Sequence, residues 1–117
     1  LNLLKYGRHL RLDGTIKLIV GRTQLDNERI MSCYRPEKDI LIKMKNLPGP
    51  VGLIQSCCSE ANLYRAAAIC AGYSKAPKEN SVEMCVTLPT GALTLKVNAV
   101  VHTEVKDILI PFAERKI

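Results

Sequence analysis

The chain has 117 residues, 47% of them apolar and 24% charged, which suits one domain with its own core and excludes intrinsic disorder. Its formal net charge of +6 is uneven: residues 1–45 carry ten Lys/Arg against five Asp/Glu, and residues 46–117 carry seven against six. Clustered positive charge points to a polyanionic partner, and no run approaches the roughly 20 apolar residues that would cross a bilayer.

The chain begins at Leu1 without Met and enters a patterned segment directly, so it reads as a C-terminal fragment of a longer protein. Leu1–Leu4 is too short for the apolar part of a signal peptide. From His9 to Leu12 the residues alternate, Asp13-Gly14 reads as a two-residue hairpin turn, and Thr15 to Val20 returns as a second strand. Gly21-Arg22 follows. Thr23, with Asp26 three residues on, is a cap-like start for a short helix running to about Cys33 and ended by Arg35-Pro36.

Ile40, Leu41 and Ile42, with Met44 continuing the pattern, predict a strand, and Val51 to Ile54 predict another. Between them Asn46 to Pro50 is a turn in which proline fixes the backbone and glycine permits positive φ. Lys43 and Lys45 are two apart, so as strand residues they leave from one face beside that turn. Ser59-Glu60 opens a second helix whose Leu63, Ala67, Cys70 and Ala71 form an apolar stripe, with Gly72 suited to the C-terminal cap. After a polar connection, Ser74 to Asn80, strands are predicted at Val82–Leu88, Ala92–Val101 and Ile108–Phe112, with Pro89-Thr90-Gly91 turning between the first two.

The predicted order is ββ-α-ββ-α-βββ: an α+β domain with a mixed or mostly antiparallel sheet of six or seven strands. Both helices are expected on one face of it. The single domain spans residues 1–117.

The chemistry-bearing inventory is thin. His9 and His102 fall in strand-like surroundings, and no nucleophile elbow or Gly-rich phosphate loop is present. Five cysteines, with no Cys-x-x-Cys pair and no Cys/His spacing for zinc, read as reduced thiols in a cytoplasmic protein. Cys70 and Cys85 read as core atoms. No catalytic residue, metal site or cofactor is expected in this domain. The basic residues are the informative ones. Arg8 and Arg11 lie on or beside the first strand, Lys17 on the second, and Arg22 stands at a helix start where backbone N–H groups could share an oxyanion with it. Arg22 could equally pair with Asp26 or Glu28. Tyr6, Tyr34, Tyr64 and Tyr73 are available to stack a base.

In order, Gly21-Arg22-Thr23, Asn27-Glu28, Asp39 to Lys43, Lys45-Asn46-Leu47-Pro48-Gly49, and Leu63 to Tyr73-Ser74 resemble the NFACT RNA-binding domain. The variant is the one found at the C-terminus of bacterial proteins that look like tRNA thiouridylases. The resemblance covers about residues 6–112. It implies an RNA partner, tRNA in particular, with Arg22, Lys45, Pro48 and Gly49 at the RNA-facing end of the sheet. Leu41 and Lys43 stand where the family has tryptophan and histidine, and Asn46 where it has aspartate. Lys43 thus puts a permanent charge in the histidine's place. The resemblance also implies an N-terminal ATP-using sulfur-transfer domain in the same protein; its Ser-Gly-Gly-x-Asp-Ser loop is absent here. Two other readings stand beside RNA binding. One is a persulfide relay at Cys57 or Cys58, whose thiol a nearby helix start would acidify, and the other is a protein-docking domain using a sheet edge.

Overall fold

Short runs of β-branched and aliphatic residues pair into a single six-stranded antiparallel sheet, ordered β1-β2-β4-β3-β5-β6. The computed structural model describes residues 3–76 and 80–115, so Leu1 and part of the expected Ser74–Asn80 connection lie outside the described residues. The strands are β1 (Arg8–Asp13), β2 (Ile16–Val20), β3 (Ile40–Met44), β4 (Gly52–Ile54), β5 (Ser81–Leu88) and β6 (Gly91–Asn98). Helix α1 (Gln24–Cys33) follows β2 and α2 (Glu60–Gly72) follows β4. The α+β class is as the sequence predicts.

Caps set both helix starts. Thr23 Oγ1 accepts the Asp26 N–H at 3.1 Å, and Ser59 Oγ accepts the Asn62 N–H at 3.2 Å, each satisfying an N–H that has no intrahelical partner. The two helices do not share a face. Leu18, Val20, Ile40, Ile42 and Ile54 pack with α2, whereas Ile19, Leu41 and Leu53 pack with Ile30 of α1 and with Leu3. Successive strand residues point to opposite sides, so the apolar runs of β2, β3 and β4 need cover on both. That corrects the one-face expectation.

On the α2 side the apolar stripe is wider than predicted and includes Ala66, Ala68 and Ile69. These alanines bring the helix backbone close to its neighbours, and Val100 donates its N–H to Ala68 O at 3.1 Å. Gly72 is the last residue of α2 and the cap is Tyr73. A Cβ on Gly72 would overlap the Val100 carbonyl, so this glycine serves close approach and not a left-handed cap.

Three further expectations are corrected. The first hairpin turns at Gly14-Thr15, with Asp13 paired to Ile16 and a bulge after Arg11; Asp13 Oδ1 accepts the Gly14 N–H. Residues His102–Ile108 form a 3₁₀ helix, and the expected last strand reduces to a single Leu10–Leu109 bridge with Ile110 N–H bonded to His9 O at 2.7 Å. Pro111 has no N–H with which to extend that ladder along β1. His102 therefore opens a helical turn, while His9 lies on β1.

Candidate nucleic-acid interface

At one end of the sheet, β2 runs into α1 through Gly21, Arg22 and Thr23, the Pro48-Gly49-Pro50 turn leads into β4, and α2 ends at Tyr73. These segments and the start of β1 enclose a cleft of about 480 Å³ lined by Arg8, Arg22, Asn27, Gly49, Tyr73 and Lys75 among others. Asn27 fastens the wall: its Oδ1 accepts the Val51 N–H at 3.1 Å, while Gly21 N–H donates to Val51 O at 3.0 Å. Gly49 does not have positive φ, contrary to the expectation for this turn. It is required by space, because a Cβ there would overlap the side chain of Met44.

Asp26 organises the charges. Buried to 4% exposure, it accepts the Arg22 backbone N–H at 2.9 Å and Arg22 Nε at 3.2 Å on one carboxylate oxygen. Burial pushes its pKa up, but hydrogen bonds from Arg22 and from the Gly7 N–H outweigh burial and hold the carboxyl below its ordinary value. Arg22 thus takes the Asp26 alternative. Its side chain remains 46% exposed, and its terminal amino groups have no partner among the described residues. Arg8 lies over the Tyr73 ring, its guanidinium carbon 4.2 Å from the centroid. Burial lowers the Arg8 pKa, an effect Tyr73 opposes, and the guanidinium stays charged at any working pH. Arg115 is close enough to sense Arg22 and Asp26 as well. One carboxylate among three guanidinium groups leaves the end of the sheet positive.

The first turn of α1 faces the same cleft. Asp26 and Asn27 N–H are satisfied by Thr23, and those of Gln24 and Leu25 have no intrahelical partner. Backbone donors at a helix start, a forked cation and an aromatic face together suit a phosphate and the base next to it.

The structure brings Arg8, Arg22, Pro48 and Gly49 into this cleft and leaves three predicted residues outside its lining. Arg11 turns back to its own hairpin and donates to Gly14 O at 2.8 Å. Lys45 lies just past β3, and its Nζ pairs with Glu83 at 3.2 Å. Lys43 is exposed on β3, opposite Cys85 of β5. Of the four tyrosines available to stack a base, Tyr73 lines the cleft, and Lys75 joins it although the sequence gives it no role, because a residue this far along the chain from Arg8 meets it only through the fold. The cysteines do not gather: all five are free thiols, and Cys85 is half-buried where a core position was expected. Burial, then the neighbouring Cys57, pushes the Cys58 thiol up, the reverse of the acidification expected from a helix start. Burial pushes Cys70 up to about 12. No group of His, Cys, Asp and Glu able to hold a metal occurs among the described residues, and no described helix is long and apolar enough to cross a membrane.

The family model described as the NFACT protein RNA-binding domain matches residues 7–108. The chain belongs to the NFACT RNA-binding domain family. As an NFACT domain it is an RNA-binding unit, and RNA is its partner. Comparison with curated protein sequences finds no match. Among solved structures, the domain is similar to the C-terminal part of the fibronectin/fibrinogen-binding protein from Streptococcus suis, with a TM-score of 0.76 at 22% identity. The alignment covers 90% of the NFACT domain and 49% of that structure, so the present chain spans about half its length. At this identity the likeness concerns the fold.

Proposed function

We propose that this domain grips tRNA, with the sugar-phosphate backbone held in the cleft between the start of α1 and the Pro48–Pro50 turn. Arg8, Arg22 and the first-turn amides take phosphates, and Tyr73 offers a face to a base. In this reading the domain serves a thiouridylase-like, tRNA-modifying protein of the cytoplasm whose ATP-dependent catalytic part lies outside this chain. The observation that carries the proposal is the convergence of Arg8, Arg22, Tyr73 and the α1 start on one cleft.

Fluorescence anisotropy with bulk tRNA and single-stranded DNA at two salt concentrations tests it. The expected result is tighter binding of tRNA and strong salt dependence, with the slope falling by about 1 for each of Arg8→Gln and Arg22→Gln. Unchanged affinity and slope in the double variant would remove the cleft from the reading. No binding even at low salt would instead favour docking to protein, for which the eight-residue edge strand β6 is the natural surface.

A further inference from the structure

A second cavity, of about 340 Å³, opens on the α1 side of the sheet. Its floor is His9 of β1 with Lys17 and Ile19 of β2, and its rim is Thr15, Arg35 and the Gln55-Ser56 pair that follows β4. None of these residues lines the cleft. From Lys17 to Gly21 the strand rises about 13 Å, which sets the cavity beyond the other end of α1.

The lining has a consistent chemistry. Lys17 is half-buried, and its ammonium has no carboxylate partner among the described residues, in contrast to Lys45. Burial and then Arg11 depress its pKa, so an incoming anion would relieve a desolvated, crowded cation. Arg35 spends Nε and one terminal amino group on the buried Asp39, which holds its guanidinium rigid at the rim. Thr15, Ser56 and Gln55 supply hydroxyl and amide groups that can both donate and accept, and Ile19 supplies apolar surface. A cavity in the size range of small-molecule sites, with one free cation and several uncharged polar groups around an apolar patch, fits a ligand with one charged end and one flat polar end.

We infer that this cavity binds a nucleoside monophosphate unit, its phosphate on Lys17 and its base toward Gln55 and Ser56. The unit comes either from the end of an RNA chain or from a free nucleotide, and the two sources present the same chemistry. This site is separate from the tRNA grip proposed above and can fail or hold without it.

The test is an amide-resolved ¹H–¹⁵N NMR titration of the whole chain with the four ribonucleoside 5′-monophosphates, the matching nucleosides and inorganic phosphate. Saturable shifts at Thr15, Lys17, Gln55 and Ser56 with monophosphates, at least tenfold weaker with nucleosides or with inorganic phosphate, are expected. They should be lost in Lys17→Gln, weakened in Gln55→Ala and kept in Arg22→Gln. A short single-stranded RNA with a 5′-phosphate that moves the same amides identifies the RNA chain as the source; if only free monophosphates move them, the source is the nucleotide pool. Absence of shifts at these amides, shifts of equal size with inorganic phosphate, or persistence in Lys17→Gln would overturn the inference. None of those results bears on the effect of Arg22→Gln on tRNA affinity.

Discussion

Arg22 is fixed from behind by Asp26, which suits the phosphate-holding role proposed for it. One carboxylate oxygen takes both the Arg22 backbone N–H and Nε, and the Nε bond orients the guanidinium before any ligand arrives, so less ordering entropy is lost on binding. Asp26→Ala leaves the Arg22 and Gly7 N–H groups without their acceptor and should cost about 1–3 kcal/mol of stability, measured by urea unfolding. His9 carries a different consequence. It is 1% exposed, and its Nε2 lies 3.1 Å from both the Leu3 and Tyr6 carbonyl oxygens, an arrangement that calls for a proton on Nε2. Burial first, then Arg115, depresses its pKa below 6.5. The unfolded chain therefore takes up a proton near pH 6.5 that the folded chain refuses, and stability contributed by His9 is full above that pH and falls as pH drops below it. The thermal midpoint should decline between pH 7 and pH 5.5 in the parent and decline less in His9→Gln. An equal decline in both would show that His9 does not set it.

At the scale of elements, the sheet is the member that both helices need, and each covers what the other cannot reach. Ile30 is the one apolar residue of α1 that is fully buried, and it closes the smaller core against Ile19, Leu41 and Leu53. Ile30→Ala should cost about 2–5 kcal/mol, while Leu25→Ala, at a position 51% exposed, should change stability by less than about 0.5 kcal/mol; chemical denaturation of the two variants separates them. Ser59→Ala removes the α2 cap bond and should cost about 1 kcal/mol. Local signals made these elements readable: Thr23 and Ser59 as caps, Ile40 to Ile42 as a strand, and Pro48-Gly49 as a turn. The same apolar runs already held the two-face arrangement, since a strand with Ile, Leu and Ile in succession cannot leave either side to water. The last strand was misread because Val105 and Ile110 are buried in a segment whose own i to i+3 bonds compete with pairing.

Across the whole molecule, the basic excess of the first 45 residues resolves into places with different roles. Lys45 is neutralised by Glu83, Arg11 and Arg35 are spent on the fold, and Arg8, Arg22 and Lys17 keep charge to offer. Net charge could point to a polyanion but could not sort these, because the sorting depends on partners brought in by long-range pairing. Arg8 meets Tyr73 only once β1 and the end of α2 are assembled, and the cavity around Lys17 needs three separate segments. Association with RNA should accordingly weaken steeply with salt, while losing Lys45, whose one ammonium group is taken by Glu83, changes the slope less than losing Arg22, whose guanidinium gives Asp26 only its Nε.

The first and last described segments also touch. Arg115 reaches from the C-terminal turn, Nε bonding Ile110 O at 3.1 Å and Nη1 bonding Leu4 O at 3.0 Å. With Ile110 N–H on His9 O at 2.7 Å, the last described segment is tied to the start of the sheet by backbone as well as by the arginine side chain. A circular permutant in which a flexible glycine-serine bridge joins the segments at Leu4 and Arg115, with new ends opened at the Pro89-Thr90 hairpin tip, should fold to the same circular-dichroism spectrum and keep the affinity for RNA of the parent chain.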